Sequence, residues 1–258
     1  MQAGSCASLP RLQYPSPACK AVRAMTIINH THKFVFVHVP KAAGTTVANA
    51  LSKLTRYCDQ EVGGTGFGEN IQKAYLDRFG LGKHTPYFRL AQIIGHKELS
   101  QFYTFSFVRN PFTRATSTYN FLLNWNQLKG EVRSRIEAFG NFEEYVLSDI
   151  WNQTDGPDSI FRPQFFWLRN SIEDDTIGVR YVGKVENIES DLRSIVNQIG
   201  VEQESILDAP LRKMNVTTPI EPSLLSNPHV VDKIRRRYAV DFLHFGYSSD
   251  PDALWSST

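Results

Sequence analysis

The sequence predicts an α/β fold: a single-domain, P-loop-like parallel sheet flanked by helices. Three observations carry that prediction. Short β-branched and aromatic runs alternate with segments of helical period, two strand-to-helix junctions are small and polar, and the composition supplies a large core. The chain has 258 residues, 41% hydrophobic and 21% charged, with 17 Phe, 10 Tyr and 4 Trp. That is enough apolar area for one sizeable core and rules out a disordered or low-complexity chain. The net charge is only +2, so nothing at the level of the whole chain calls for nucleic acid or an anionic membrane. No apolar run approaches the roughly 18 residues that span a bilayer.

Residues 1–33 contain no Asp or Glu and are rich in Ala, Ser and Pro, which reads as a tail or upstream extension, with the domain proper expected over 34–250. Phe34 to Val39 (FVFVHV), bounded by Pro40, has the pattern of a buried parallel strand. From Thr45 the period changes, and Val47, Ala50, Leu51 and Leu54 fall at helical spacing. The segment 63–68 (GGTGFG) reads as a flexible loop, either a lid or plain surface. A second unit follows with a strand over Phe102–Val108 and a helix carrying Phe112, Ala115, Tyr119, Leu122 and Leu123, for which Asn110 suits the N-cap and Pro111 the first turn. A third has a strand within Ile177–Val185 and a helix with Ile188, Leu192, Ile195, Val196 and Ile199 inward, stopped by Gly200. Residues 55–90 and 124–170 lack regular patterning and are expected to be insertions that shape a substrate pocket. Val231, Ile234 and Tyr238 suggest one more amphipathic helix, whose basic run Lys233 to Arg237 reads as a solvated face rather than a nucleic-acid site.

Cys6, Cys19 and Cys58 are odd in number and make a poor disulfide framework, which suits a reducing compartment. A cytoplasmic location is expected, or an organelle or secretory lumen if the tail is a targeting segment. Acceptor-type triplets for N-glycosylation begin at Asn29, Asn152 and Asn215 and matter only in a lumen.

The first junction, Pro40-Lys41-Ala42-Ala43-Gly44-Thr45-Thr46, lets backbone wrap closely round an anion at a helix N-terminus. In the nucleotide-hydrolase loop a Lys follows the last Gly, and a metal-holding Ser or Thr follows that Lys. Here Lys41 precedes Gly44 by three residues and no hydroxyl follows it directly, so no Mg²⁺ site and no other metal site is expected. An ordinary capping loop with an exposed lysine is the blander alternative. At the second junction Arg109 ends a strand and Ser117 lies on the next helix, together a selective phosphate clamp unless Arg109 serves only a salt bridge.

The stretches FVFVHVPKAAGTT (Phe34–Thr46) and FSFVRNPFTRATSTY (Phe105–Tyr119) resemble the two cofactor motifs of the PAPS-dependent sulfotransferases, in the branch containing Golgi carbohydrate sulfotransferases and their bacterial relatives. PAPS is 3′-phosphoadenosine 5′-phosphosulfate. The likeness continues through Arg162-Pro163-Gln164, Val182–Asn187, Asn215-Val216-Thr217 and Tyr238–Tyr247. It implies that Lys41, Ala42, Ala43, Gly44, Thr45 and Thr46 hold the 5′-phosphosulfate and that Arg109 and Ser117 hold the 3′-phosphate. It also implies in-line transfer of a sulfuryl group to a hydroxyl or amine of a small molecule or sugar, without metal, leaving adenosine 3′,5′-bisphosphate. A general base would aid a hydroxyl acceptor. Relatives that use a histidine carry it upstream of the second motif's strand, where this chain has His84, followed by a helix-like stretch over Tyr87–Ile94, and His96, with an Asp, a Glu or no base as the remaining options; His38 reads as a satisfied core or wall residue. Asn110 stands where many Golgi members have Asp. Arg162-Pro163-Gln164 departs from the His-Trp-x-Pro-Gln pattern of glycan-acting members, so Arg162 either meets an acidic acceptor or pairs with Asp158. A P-loop small-molecule kinase and a non-catalytic nucleotide- or glycan-binding module remain as alternatives.

Overall fold

The structure is a computed structural model that describes residues 26–63, 66–125, 130–152, 160–202, 206 and 220–256. The described chain begins with a hairpin, β1 (Thr26–Asn29) and β2 (Phe34–Phe36), paired Ile27 to Phe36 and Asn29 to Phe34. All four residues of β1 are buried. The expected tail therefore gives way to sheet eight residues early: Thr26, Ile27 and Ile28 are β-branched, and that local preference prevails over the tail-like composition around them.

The loop over β2 leads to α1 (Gly44–Leu51), a 3₁₀ turn at Ser52–Leu54, β3 (Gln60–Val62) and α2 (Gly66–Phe79). Then come α3 (Tyr87–Ile94), α4 (His96–Leu99), β4 (Tyr103–Val108) and α5 (Pro111–Asn124). After α5 the chain forms α6 (Gly130–Ala138), α7 (Phe142–Leu147) and α8 (Phe165–Leu168), then β5 (Tyr181–Lys184) and α9 (Ile188–Gln198). It closes with α10 (Pro228–Arg237) and α11 (Ala239–Phe245). No helix among the described residues is long and apolar enough to cross a membrane.

Among the described residues the sheet has five strands in the order β3-β1-β2-β4-β5. β4 runs parallel to both β2 and β5, while β1 is antiparallel to β2 and β3, so four of the five strands share one direction. Alternation sorts the side chains. Phe34 and Phe36 join Val47 and Leu51 of α1 and Leu192, Ile195 and Val196 of α9 on one face. Val35 and Val37 meet Leu90 and Ala91 of α3 and Trp167 and Leu168 of α8 on the other. A third, mainly helical core is formed by α5, α7 and α10 through Phe112, Tyr119, Tyr145 and Ile234, with Trp151 from the 3₁₀ turn Ile150–Asn152.

Both segments expected to be irregular contain helices. In α2, Ile71, Tyr75 and Phe79 sit at helical spacing, but the glycines at its start mask the pattern. Those glycines serve packing: Gly63 N–H donates to the Gly68 carbonyl (3.2 Å), and a Cβ on Gly68 would lie 2.5 Å from the Gly63 carbonyl oxygen. The expected flexible loop is thus in part the first turn of a helix, with residues 64 and 65 outside the described ones.

The basic run of α10 is not simply solvated. Lys233 donates to the carbonyls of Leu147 (2.9 Å) and Ser148 (2.6 Å) at the end of α7, where a cation complements the helix dipole. Arg237 donates twice to the Phe161 carbonyl and Arg235 once to Ser249. Asn29 is equally committed, its amide bonded to the Leu54 carbonyl and Asp59 and its oxygen to His32 N–H, so it is no glycan acceptor. Asn215 lies outside the described residues.

Candidate active site

The loop after β2 is wound by two residues in the left-handed region, Lys41 (φ 65°) and Ala43 (φ 55°), on either side of buried Ala42. Each costs roughly 1–3 kcal/mol for a non-glycine residue, strain that structures retain mainly where it serves a site. Thr46 and Val47 N–H both donate to the Ala43 carbonyl (2.9 and 3.2 Å), which starts α1 directly beneath the loop. The first-turn amides of a helix have no carbonyl ahead of them, and the first turn of α1 carries no acid. The geometry is a backbone cradle for an anion at the positive end of a helix.

Lys41 reaches across to α5, its ammonium 4.0 Å from the centre of the Phe121 ring, one helical turn beyond buried Ser117. Burial, helped by the charges of Arg109 and Arg114, pushes its pKa down to about 8. Three cations thus converge on one strand-end edge.

Arg109 is fixed at its backbone by one side chain. Its N–H donates to Gln164 Oε1 (2.8 Å) and its carbonyl accepts from Gln164 Nε2 (2.7 Å), while its guanidinium Nε donates to Thr113 Oγ1 (3.0 Å). Asn110 caps α5 as expected, accepting from Phe112 N–H (3.0 Å) with Pro111 in the first turn. Glu186, in the 3₁₀ turn Val185–Asn187 just after β5, accepts from Asn110 N–H (2.8 Å) and from the Tyr247 hydroxyl (2.9 Å). Burial works against the charge of Arg109, and Glu186 works for it.

Arg114 went unremarked in the sequence, yet it holds the site together. Fully buried, it donates from Nε to the Pro40 carbonyl (3.1 Å) and from a terminal nitrogen to the Ile160 carbonyl (3.1 Å), and it lies over the Tyr238 ring. It is also the chief stabiliser of the carboxylate form of Asp241, a buried group whose pKa burial raises. Asp241 in turn accepts from the backbone of Gln164 (2.8 Å) and Phe165 (2.9 Å). A usable signal existed: Arg114 is the one charged residue of α5, and a helix so poor in charge is buried nearly all round.

His84 and His38 meet at the carboxyl end of β2. Their rings are 4.2 Å apart and tilted by 32°, and His84 Nδ1 lies 3.3 Å from the His38 carbonyl. A carbonyl only accepts, so this bond puts the proton on Nδ1 and leaves the lone pair of His84 on Nε2. Trp167 of α8 closes the other side, 5.9 Å from His84. Burial, then the Lys83 charge, pushes the His84 pKa down to about 3; burial and His84 push His38 well below its ordinary value. His96 is elsewhere: exposed on α4, which runs into the amino end of β4, the opposite edge of the sheet. Arg162 lies with its guanidinium 4.1 Å over Phe166, and Asp158 is outside the described residues.

The two buried imidazoles carry a consequence for stability. A histidine whose folded pKa is depressed binds its proton only on unfolding, so stability is complete above the ordinary value of 6.5 and falls as pH drops from there toward 3. The slope is up to about 1.4 kcal/mol per pH unit for each such group. Chemical denaturation between pH 7 and 4 should show this fall, and His84→Asn should flatten it; an equal slope in that variant would mean that the acid sensitivity lies in other groups.

A family model described as "Sulfotransferase family" matches residues 24–248, which takes in β1 and every residue of the site above. Neither a curated protein nor a solved structure gives a significant match.

Proposed function

The chain belongs to the sulfotransferase family, and from that premise we propose that it moves a sulfuryl group from 3′-phosphoadenosine 5′-phosphosulfate to a hydroxyl or amine of a small molecule or sugar. One observation carries the reading: Lys41, in the strained loop after β2, and Arg109, directly after β4, follow adjacent parallel strands, close enough for the second charge to depress the pKa of the first, and the loop's amides open on a helix N-terminus. Separate anion seats on neighbouring strand ends suit a nucleotide phosphorylated at two positions.

In this assignment the loop from Lys41 to Thr46 holds the 5′-phosphosulfate, and Arg109 with Ser117 holds the 3′-phosphate. The residues fit such a group: small side chains line the loop, and both oxygens of Glu186, the carboxylate nearest the second seat, are already bonded. The bound nucleotide supplies the activated sulfuryl group. The Lys41 ammonium and the α1 amides stabilise the negative charge that grows on the departing phosphate oxygen. His84 Nε2 accepts the proton of the acceptor, a role that the burial of an uncharged imidazole beside the loop supports.

Calorimetry in the presence of a metal chelator should show tight uptake of adenosine 3′,5′-bisphosphate. No uptake, or a preference for ATP with Mg²⁺, would sink the proposal in favour of a phosphotransferase. Arg109→Ala should raise the KM for the donor about 10- to 100-fold, the loss of one or two charge-assisted bonds at roughly 1.5–3 kcal/mol each, and leave kcat within a few-fold. Affinity for adenosine 5′-phosphosulfate, which has no 3′-phosphate, should change little; an equal loss for both nucleotides would remove Arg109 from the 3′ seat.

A further inference from the structure

His38 is a costly residue for its position. Its ring is 4% exposed at the end of β2, and Nδ1 has no hydrogen-bond partner among the described residues. An orphaned buried polar atom costs roughly 1–3 kcal/mol. Its ring neighbours are Phe36 (6.0 Å) and His84, and the backbone of Lys83 bonds to the ring as well.

The group beside it that must change charge in the proposed reaction is His84. The groups acting on His84 are Lys83 on its own segment, Lys41 from the β2 loop, Arg114 from α5, the indole of Trp167 from α8 and His38 itself. All three charges among them are positive and oppose protonation, whereas the His38 carbonyl favours it. A neutral imidazole stacked at 4.2 Å presents its π face to an imidazolium, an attraction of about 0.5–2 kcal/mol.

We propose that His38 is a positioning residue for sulfuryl transfer: its neutral ring, stacked on His84 three residues ahead of Lys41, holds the base in place and stabilises the charge it gains when it takes the acceptor's proton. This rests on the reading of His84 as that base. The acceptor's O–H or N–H bond breaks and its proton goes to His84 Nε2. The freed electron pair bonds to sulfur, and the bond from sulfur to the nucleotide phosphate breaks with its pair on the phosphate.

Hydrolysis of the donor, with water as acceptor, gives a readout that needs no identified acceptor. His38→Leu removes the π face. It should lower kcat about 10-fold or more and move the acidic limb of the pH profile to lower pH, because His84 becomes harder to protonate. The affinity for adenosine 3′,5′-bisphosphate should stay within about threefold, and His38→Phe, which keeps a π face against His84, should retain more activity than the leucine variant. Unchanged kcat and acidic limb in His38→Leu, while His84→Ala loses turnover, would overturn the role of His38 alone. Full activity in His84→Ala would remove the base and this proposal with it. A measurement on the unaltered protein guards against variants that fail to fold: with adenosine 3′,5′-bisphosphate bound, nitrogen-15 spectra of the histidine rings should show His38 neutral across the acidic limb. Protonation of His38 within that limb would overturn the proposal.

Discussion

Lys41→Ala should lower the turnover of the proposed sulfuryl transfer by at least about 10³-fold, while affinity for adenosine 3′,5′-bisphosphate should fall less than about tenfold. The asymmetry follows from where the charge is needed. In the ground state the proposed donor would be held by loop amides and by the Arg109 seat, none of which the substitution removes. In the transition state the bond to the departing phosphate is breaking, and an ammonium beside that oxygen gains most of its interaction energy there. Loss of one such electrostatic partner costs 10²–10³ in rate where it is a neutral donor, and a full positive charge in a buried site contributes more. Lys41→Arg should not restore turnover, since a planar fork does not replace a compact charge in the narrow space between the loop and Phe121. With its pKa at about 8, the lysine is charged and competent below that pH, and kcat/KM for the donor should decline as pH rises through it. Steady-state turnover and calorimetry on the same protein test both halves, and an alanine variant with ordinary turnover defeats the assignment of Lys41.

The parts of this molecule that sequence reading recovered are those whose physics is local. A hydrophobic run ended by Pro40, a change of period at Thr45, the Asn110–Pro111 cap and the apolar stripe of α9 each declare themselves within a dozen residues; the structure has the last three, and of the first a strand that stops at Phe36 rather than Val39. What stayed hidden depends on chain distant in sequence. Gln164 grips Arg109 across 55 positions and Asp241 grips Gln164 across 77, so neither role has a local signature. β1 is similar: its four residues lie in an acid-free, tail-like stretch, and only their pairing with β2 on one side and β3 on the other shows them to be interior sheet. His38 was read as a wall residue because it sits within a strand pattern. Its stacking partner arrives 46 residues later, through a turn that periodicity does not reveal.

Arg114→Met should destabilise the protein by about 3–5 kcal/mol, the range for removing one partner of a buried charge system. Methionine keeps most of the stem volume, so a cavity does not explain the loss. The Pro40 and Ile160 carbonyls each lose a donor, and Asp241, fully buried, loses the cation that most favours its ionised form. For a chain of this length the fall in Tm should be on the order of 10 °C. Adding Asp241→Asn should return about 1 kcal/mol, because it removes the unpaired buried charge, although its single amide oxygen keeps only one of the two backbone donors, Gln164 and Phe165, that the two carboxylate oxygens accept from. Nucleotide affinity should fall as well, since the Pro40 carbonyl anchors the strained turn that begins at Lys41. Denaturant titration of the single and double variants decides the matter: a single variant within about 1 kcal/mol of the parent, or a double variant no better than the single, would mean that Asp241 is stabilised by its backbone donors alone and that the loop keeps its shape without the guanidinium.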